Sequence, residues 1–264
     1  MITAYHRPKT LDEALTLLTG PNRTPLGGGT LLARPETDPV EAVDLQSLNL
    51  DTIEQQGNSL KIGATVTLQE LLVSEHCPDA LKSALKLEAP LNLRNAATVA
   101  GTLVSCDGRS TFVSVLLALD AKLELTRLEN SKIESRTVNT GDFLPLRDLQ
   151  GSLITSITIP LNTKLGFEYV SRTPADKPIV CAALAQWNSG RTRLVLGGYG
   201  KSPLLAMDGT EADGLDASTT DNILRSAQAA ARNAFHEATD EWASAEYRMD
   251  VAATLAKRCL QSIS

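Results

Sequence analysis

The sequence predicts an α+β chain of two domains, and three observations predict it. At 264 residues the chain exceeds the usual size of one hydrophobic core. Runs of strand length alternate with runs whose apolar residues recur at helical spacing. The pattern changes after Pro160: Asn162 to Lys164 reads as a linker, three strand-like runs follow, and two long helices close the chain. The predicted domains are therefore 1–160, itself in two α+β parts, and a smaller 164–264.

In order along the chain, Thr10 and Glu13 form a capping box, and Leu11, Ala14, Leu15 and Leu18 repeat at helical spacing until Gly20-Pro21 stops the helix. The preceding residues, MITAYHRPK, read as a polar lead into that helix. A short strand then enters a run of glycines at 27–29. Residues 41–45, the run around Ile53, and 60–64 read as strands, the last two joined by a turn at Gly57-Asn58. Thr67 and Glu70 form a second capping box. Residues 78–88 read as a helix that ends before Pro90. The run 111–119 is almost wholly apolar and predicts a buried helix. Strands follow at 121–126, 132–138 and 152–159, then at 166–172, 179–187 and 191–197. Of the two closing helices, one opens near Ser218–Asp221, and the other places Tyr247, Val251, Leu255 and Arg258 along one face. Their Lys and Arg stripes read as solvated.

A net charge of −6 argues against a nucleic-acid surface, which needs a basic patch. No apolar run approaches the roughly 20 residues that cross a bilayer, and the N-terminus lacks the pattern of a signal peptide, so a cytoplasmic protein with no membrane span is expected. Cys77, Cys106, Cys181 and Cys259 have no C-x-x-C spacing and read as reduced, buried thiols, with Cys106 the one closest in sequence to a candidate site. His6, His76 and His236 are too dispersed for a metal cluster or a triad. Neither a metal site nor a catalytic side chain is expected.

Two segments carry the chemistry: Leu26-Gly27-Gly28-Gly29-Thr30-Leu31-Leu32, and Arg94-Asn95-Ala96-Ala97-Thr98-Val99-Ala100-Gly101-Thr102-Leu103. Residues without bulky side chains let backbone N–H groups converge on an anion, so the pair suggests a pyrophosphate cradle with a dinucleotide as its occupant. Three consecutive glycines do not make the Rossmann fingerprint, which requires G-x-G-x-x-G between a strand and its helix.

These segments resemble those of the FAD-binding subunit of the molybdenum hydroxylases, the family of xanthine dehydrogenase and aerobic carbon monoxide dehydrogenase. LGGGTLL at 26–32, LKIGATVTLQEL at 60–71, LRNAATVAGTLVSCDGRSTFVSVLLALDAKLEL at 93–125 and ASAEYRMDVAATLAKRCL at 243–260 are similar to family stretches in the same order, so the resemblance covers nearly the whole chain. It implies an FAD-binding domain followed by a three-stranded, helix-backed domain of the carbon monoxide dehydrogenase flavoprotein type. It implies Gly27, Gly28, Gly29, Thr30, Leu31 and Leu32 as the first cofactor loop and Thr98, Val99, Ala100, Gly101 and Thr102 as the second. Thr111 falls where the family has an aspartate that accepts from the cofactor, Asp107 lies near enough in sequence to compensate without occupying the same place, and Ile154 matches an aliphatic residue beside the flavin ring. The implied partners are an iron–sulfur subunit carrying [2Fe-2S] clusters and a subunit carrying the molybdenum cofactor, where substrate is oxidised. FAD then passes the electrons to NAD or another acceptor.

Departures from the family pattern frame an alternative. Ala100 stands where the family has glycine, Thr111 where it has aspartate, and Tyr169-Val170 where an aromatic residue is followed by lysine. The alternative is a degenerate member that keeps the fold, binds FAD weakly or not at all, and serves assembly. If these departures weaken binding, Thr111→Asp with Ala100→Gly strengthens it; on the phosphate-cradle reading, Gly28→Asp abolishes FAD binding while leaving the chain folded.

Overall fold

The computed structural model of the chain describes residues 1–33, 38–130, 132–147, 149, 151–174, 176–210 and 220–263. The elements in order are β1 (Ile2–His6), α1 (Leu11–Leu18), β2 (Arg23–Leu26), β3 (Val40–Asp44), β4 (Ile53–Gln56), β5 (Ser59–Gly63), α2 (Leu68–Val73), α3 (Asp79–Glu88), α4 (Leu91–Arg94), α5 (Val99–Ser105) and α6 (Thr111–Ala118). They continue with β6 (Lys122–Glu129), β7 (Lys132–Asn139), α7 (Thr140–Phe143), β8 (Leu153–Pro160), β9 (Thr163–Val170), β10 (Val180–Trp187), β11 (Thr192–Gly197), β12 (Leu204–Gly209), α8 (Thr220–Ala234) and α9 (Ala245–Ile263). They divide into two compact units that interleave in sequence: Met1–Glu75 with Leu91–Ser105 and Lys122–Ile159, and His76–Pro90 with Cys106–Ala121 and Pro160–Ser264.

The first unit holds a three-stranded sheet ordered β1-β3-β2, parallel throughout, and a five-stranded sheet ordered β4-β5-β8-β6-β7. Helix α1 starts at Thr10, whose hydroxyl accepts from the Glu13 amide, while the Glu13 carboxylate reaches back to the Lys9 amide rather than to Thr10, so the predicted capping box is half made. At α2 the box is complete between Thr67 and Glu70. Leu15, Leu45 and Leu153 form a small core. Strand β1 lies within the segment expected to be a polar lead. Only one neighbour covers it, and its Thr, Tyr and His side chains sit at an edge that needs no apolar alternation. Helix α5 also escaped the sequence reading, because VAGTLVS combines β-branched residues with glycine.

The second unit packs α8 and α9 on an antiparallel sheet ordered β12-β11-β10-β9. The sheet has four strands rather than the predicted three. Leu204–Gly209 lacks strand-like alternation and is recruited as an edge through pairing with β11. The expected linker at Asn162–Lys164 already enters β9, which only two residues separate from the end of β8. Helix α6 is buried on every side, as predicted. Its N-terminus is satisfied by the buried Glu88 carboxylate, which accepts from the Phe112 amide (2.9 Å) and the Ser110 hydroxyl (2.8 Å). In α9 the buried face runs through Arg248, Ala252, Leu255, Ala256 and Cys259, and Tyr247 is exposed, so the predicted face is shifted by one residue.

Arg248 itself corrects the expectation of solvated basic stripes. It is fully buried, bonds the Ala238, Ala243 and Gly198 carbonyls, and donates from Nη2 to both carboxylate oxygens of Asp240 at 2.8 and 2.9 Å. The four cysteines are buried, and none of them forms a disulfide among the described residues. Burial pushes the Cys77 and Cys181 thiols up to about 12 and the Cys259 thiol higher still, so they stay protonated and inert at neutral pH. Among the described residues no helix is long and apolar enough to cross a membrane.

Candidate functional site

The two glycine-centred segments meet in the first unit. The first leaves β2 and turns through Gly29 at φ +71°, and the second runs from α4 into α5. Their contact is backbone to backbone. A Cβ placed on Gly28 would lie 1.5 Å from the Ala96 carbonyl oxygen, and one on Gly27 would lie 2.8 Å from the Thr98 hydroxyl oxygen. Gly101 faces the same hydroxyl at 2.8 Å. Close approach of the loops thus requires these glycines whether or not a ligand is bound.

An open cavity of about 170 Å³ lies at this junction. Gly27, Gly28, Gly29, Thr30, Leu31 and Leu32 line it from the first segment, Thr98, Ala100 and Gly101 from the second, and Ile154 from β8. Val99 is fully buried and Thr102 half-buried on α5, and neither lines the cavity. Ala64, Thr65, Val104, Leu149 and Leu153 line it without having been singled out. Ala64 and Thr65 lie inside the family-like stretch LKIGATVTLQEL, which is the signal that pointed to them. Among the described residues no titratable side chain lines it, so backbone dipoles supply the electrostatics of this lining.

Those dipoles are distributed unequally. Among the described residues the amides of Gly27, Gly28, Gly29 and Thr30 donate no hydrogen bond. The amides of the second segment are engaged: Val99 with the Val66 carbonyl (2.9 Å), Ala100 with Ala64 (3.3 Å), Gly101 with the Thr98 hydroxyl (3.2 Å) and Thr102 with the Thr98 carbonyl (2.9 Å). Four successive free amides on one wall and leucine, valine and isoleucine side chains on another fit a cofactor that joins an anionic diphosphate to a flat apolar ring.

Asp107 and Thr111 belong to the second unit. Asp107 is exposed, accepts from the Arg109 amide (2.9 Å) and pairs with Lys177 at 3.6 Å. Thr111 is fully buried, its hydroxyl shared between the Ala84 carbonyl (2.7 Å) and Glu88 (3.2 Å). An aspartate at 111 would set a second carboxylate beside Glu88, so the substitution expected to strengthen cofactor binding would instead disrupt the start of α6. Tyr169 lies half-exposed on β9, stacked on Phe167.

Fold and cavity together are those of a flavoprotein subunit, as the matching families show. Residues 1–162 match the FAD binding domain in molybdopterin dehydrogenase, and residues 166–263 match the CO dehydrogenase flavoprotein C-terminal domain; the chain belongs to this oxidoreductase family. The protein YgfM of Escherichia coli is 31% identical over 214 residues, covering 79% of each chain. The carbon monoxide dehydrogenase medium chain of Afipia carboxidovorans is 28% identical over 283 residues, covering 97% of this chain and 95% of its own. Among solved structures, reconstituted CO dehydrogenase from Oligotropha carboxidovorans superposes with a TM-score of 0.77 at 26% identity, over 98% of this chain and 96% of that one.

Proposed function

We propose that this chain binds FAD in a molybdenum hydroxylase complex and carries electrons from an iron–sulfur subunit to NAD or another acceptor, while substrate is oxidised on a molybdenum subunit. The observation that carries the reading is the set of four acceptor-free amides, Gly27 to Thr30, in a cavity of the family's FAD-binding domain. The relatives named as medium chains support a multi-subunit assembly. Bound FAD supplies a carrier able to exchange electrons singly with clusters and in pairs with an acceptor. The chain's own residues do the holding: the loop amides take the diphosphate, and Leu149, Leu153 and Ile154 offer an apolar wall that excludes water.

The departures that framed the degenerate alternative lose their force in this geometry. Ala100 has no positive φ and sits inside α5, where a methyl group is tolerated, and Thr111 is committed to Glu88 and Ala84. The test is purification with candidate cluster and molybdenum subunits co-expressed, followed by flavin absorbance and size-exclusion chromatography. Co-elution with one FAD per chain is expected. A lone, colourless chain that takes up no added FAD would overturn the reading.

A further inference from the structure

In the second unit three distant stretches of chain converge on one indole ring. The Arg109 guanidinium lies 4.5 Å from the centre of the Trp242 ring, and that of Arg172 lies 4.8 Å from it. We propose that this cluster is a binding site for a phosphate group of the kind a nucleotide carries. None of its three residues lines the cavity of the first unit, and the site stands whether or not that cavity takes FAD.

Charge comes first. Each guanidinium gains from the ring face, but two of them within about 9 Å of each other repel, because that separation is shorter than a Debye length of about 10 Å. Among the described residues neither is paired with a carboxylate. Arg109 donates from Nε to the Pro178 carbonyl (3.2 Å) and from Nη2 to the Lys177 carbonyl (2.6 Å), and Arg172 makes no hydrogen bond. Asp107 is committed to the Arg109 amide and Lys177, Asp240 is held by Arg248, and the exposed Asp176 and Glu241 pair with neither guanidinium. The Trp242 indole N–H has no acceptor either. A carboxylate fills one planar fork, whereas a phosphate has oxygens and charge enough for both. The cluster is also held in place. Asp240 accepts from the amides of Trp242 (2.8 Å) and Ala243 (3.1 Å), and the fully buried Arg248 fixes that carboxylate. The turn before Arg109 is pinned on the loop after β11: Gly108 donates to the Gly200 carbonyl (2.9 Å) and accepts from the Gly198 amide (2.6 Å), and a Cβ on Gly108 would lie 1.9 Å from the Tyr199 carbonyl oxygen. Trp242 remains 39% exposed, so an anion reaches the guanidiniums without displacing protein.

The chain has two tryptophans, Trp187 and Trp242, so ¹H–¹⁵N NMR of the indole N–H groups in the full chain tests this, with Trp187→Phe assigning the two signals. ADP, inorganic phosphate and adenosine are titrated at constant ionic strength set with potassium chloride. ADP and phosphate should shift the Trp242 signal and leave that of Trp187 in place, with saturation in the roughly millimolar range of two charge-assisted bonds. Tighter binding of ADP identifies a nucleotide as the source of the phosphate, and equal binding identifies free phosphate; the site stands in both cases. Arg172→Gln, an exposed change that should leave the melting temperature unaltered, is expected to weaken ADP by about tenfold, and Arg172→Lys should restore part of that loss. Lys257→Gln, which removes an exposed charge from α9, should change nothing. A response to adenosine equal to that of ADP, a shift that chloride alone reproduces, or equal ADP affinity in parent and Arg172→Gln would each overturn the proposal. The titration is repeated with stoichiometric FAD. An unchanged ADP response supports a site of its own, and loss of that response would overturn it, because the cluster would then belong to the flavin. If FAD does not bind, the cofactor reading fails and the titrations without it still decide the phosphate site.

Discussion

Replacing Gly28 with alanine tests the loop junction most severely. The added Cβ would sit 1.5 Å from the Ala96 carbonyl oxygen, with the Ala96 carbonyl carbon at 2.5 Å, and neither is the end of a flexible side chain. Carbon–oxygen contacts settle near 3.3 Å or beyond, so the loops must part by roughly 1.8 Å. Gly28 has no positive φ, so backbone strain adds nothing, and the gain of about 0.4–1 kcal/mol that alanine brings by restricting the unfolded chain is smaller than an overpacking cost of about 1–3 kcal/mol. A displacement of that size carries at least two amides out of range of an anion. At about 1.5–3 kcal/mol for each charge-assisted bond, FAD affinity should fall by roughly 10²- to 10⁴-fold. Gly29→Ala is the matched control. Its Cβ would find only Leu26 Cδ1 at 3.4 Å, and its φ of +71° costs about 1–2 kcal/mol. Calorimetric titration of apo-protein with FAD, paired with thermal denaturation, should rank Gly28→Ala far below Gly29→Ala. Equal affinities in parent and Gly28→Ala would refute the argument, because the junction would then be free to open. The same geometry revises the expectation for Gly28→Asp, whose first effect is on loop packing rather than on charge.

Other outcomes follow from particular contacts. Because no titratable side chain lines the cavity among the described residues, FAD affinity measured by fluorescence quenching should be flat across neutral pH, and a step near pH 6–7 would implicate a side chain absent from that wall. Thr111→Asp should cost about 3–5 kcal/mol in urea denaturation, since it buries a carboxylate against Glu88 and the Ala84 carbonyl. Burial alone would raise the Asp240 carboxyl, but bonds from Arg248 and from the Trp242 and Ala243 amides more than offset it and hold the group below its ordinary 3.8. Its native form therefore binds fewer protons than the unfolded chain. The stability it contributes is full above that ordinary value and is lost as pH falls through the lower native one. Asp240→Asn should flatten the acid limb of the melting-temperature profile. It should also cost about 2–3 kcal/mol at neutral pH, less than a wholly buried pair because Asp240 is 28% exposed.

Much of the molecule was legible because local chemistry and tertiary packing agree. The Thr67–Glu70 box, the all-apolar α6 and the hairpin at Gly57 each contain within a few residues everything that selects their conformation. The two segments that line the cavity were legible as glycine-centred runs, and the family resemblance is confirmed. What sequence alone determined is where backbone is free of side chains. Tertiary structure decided how that freedom is used. Gly28 packs on a carbonyl 68 residues away, the α5 amides find acceptors in the turn after β5, and Arg248 is buried because carbonyls from three separate places converge on it. Strands β1 and β12 likewise exist because a neighbour offers an edge. Pairing with a distant partner leaves no periodicity in the strand itself, and a free amide has the same one-letter code as an engaged one.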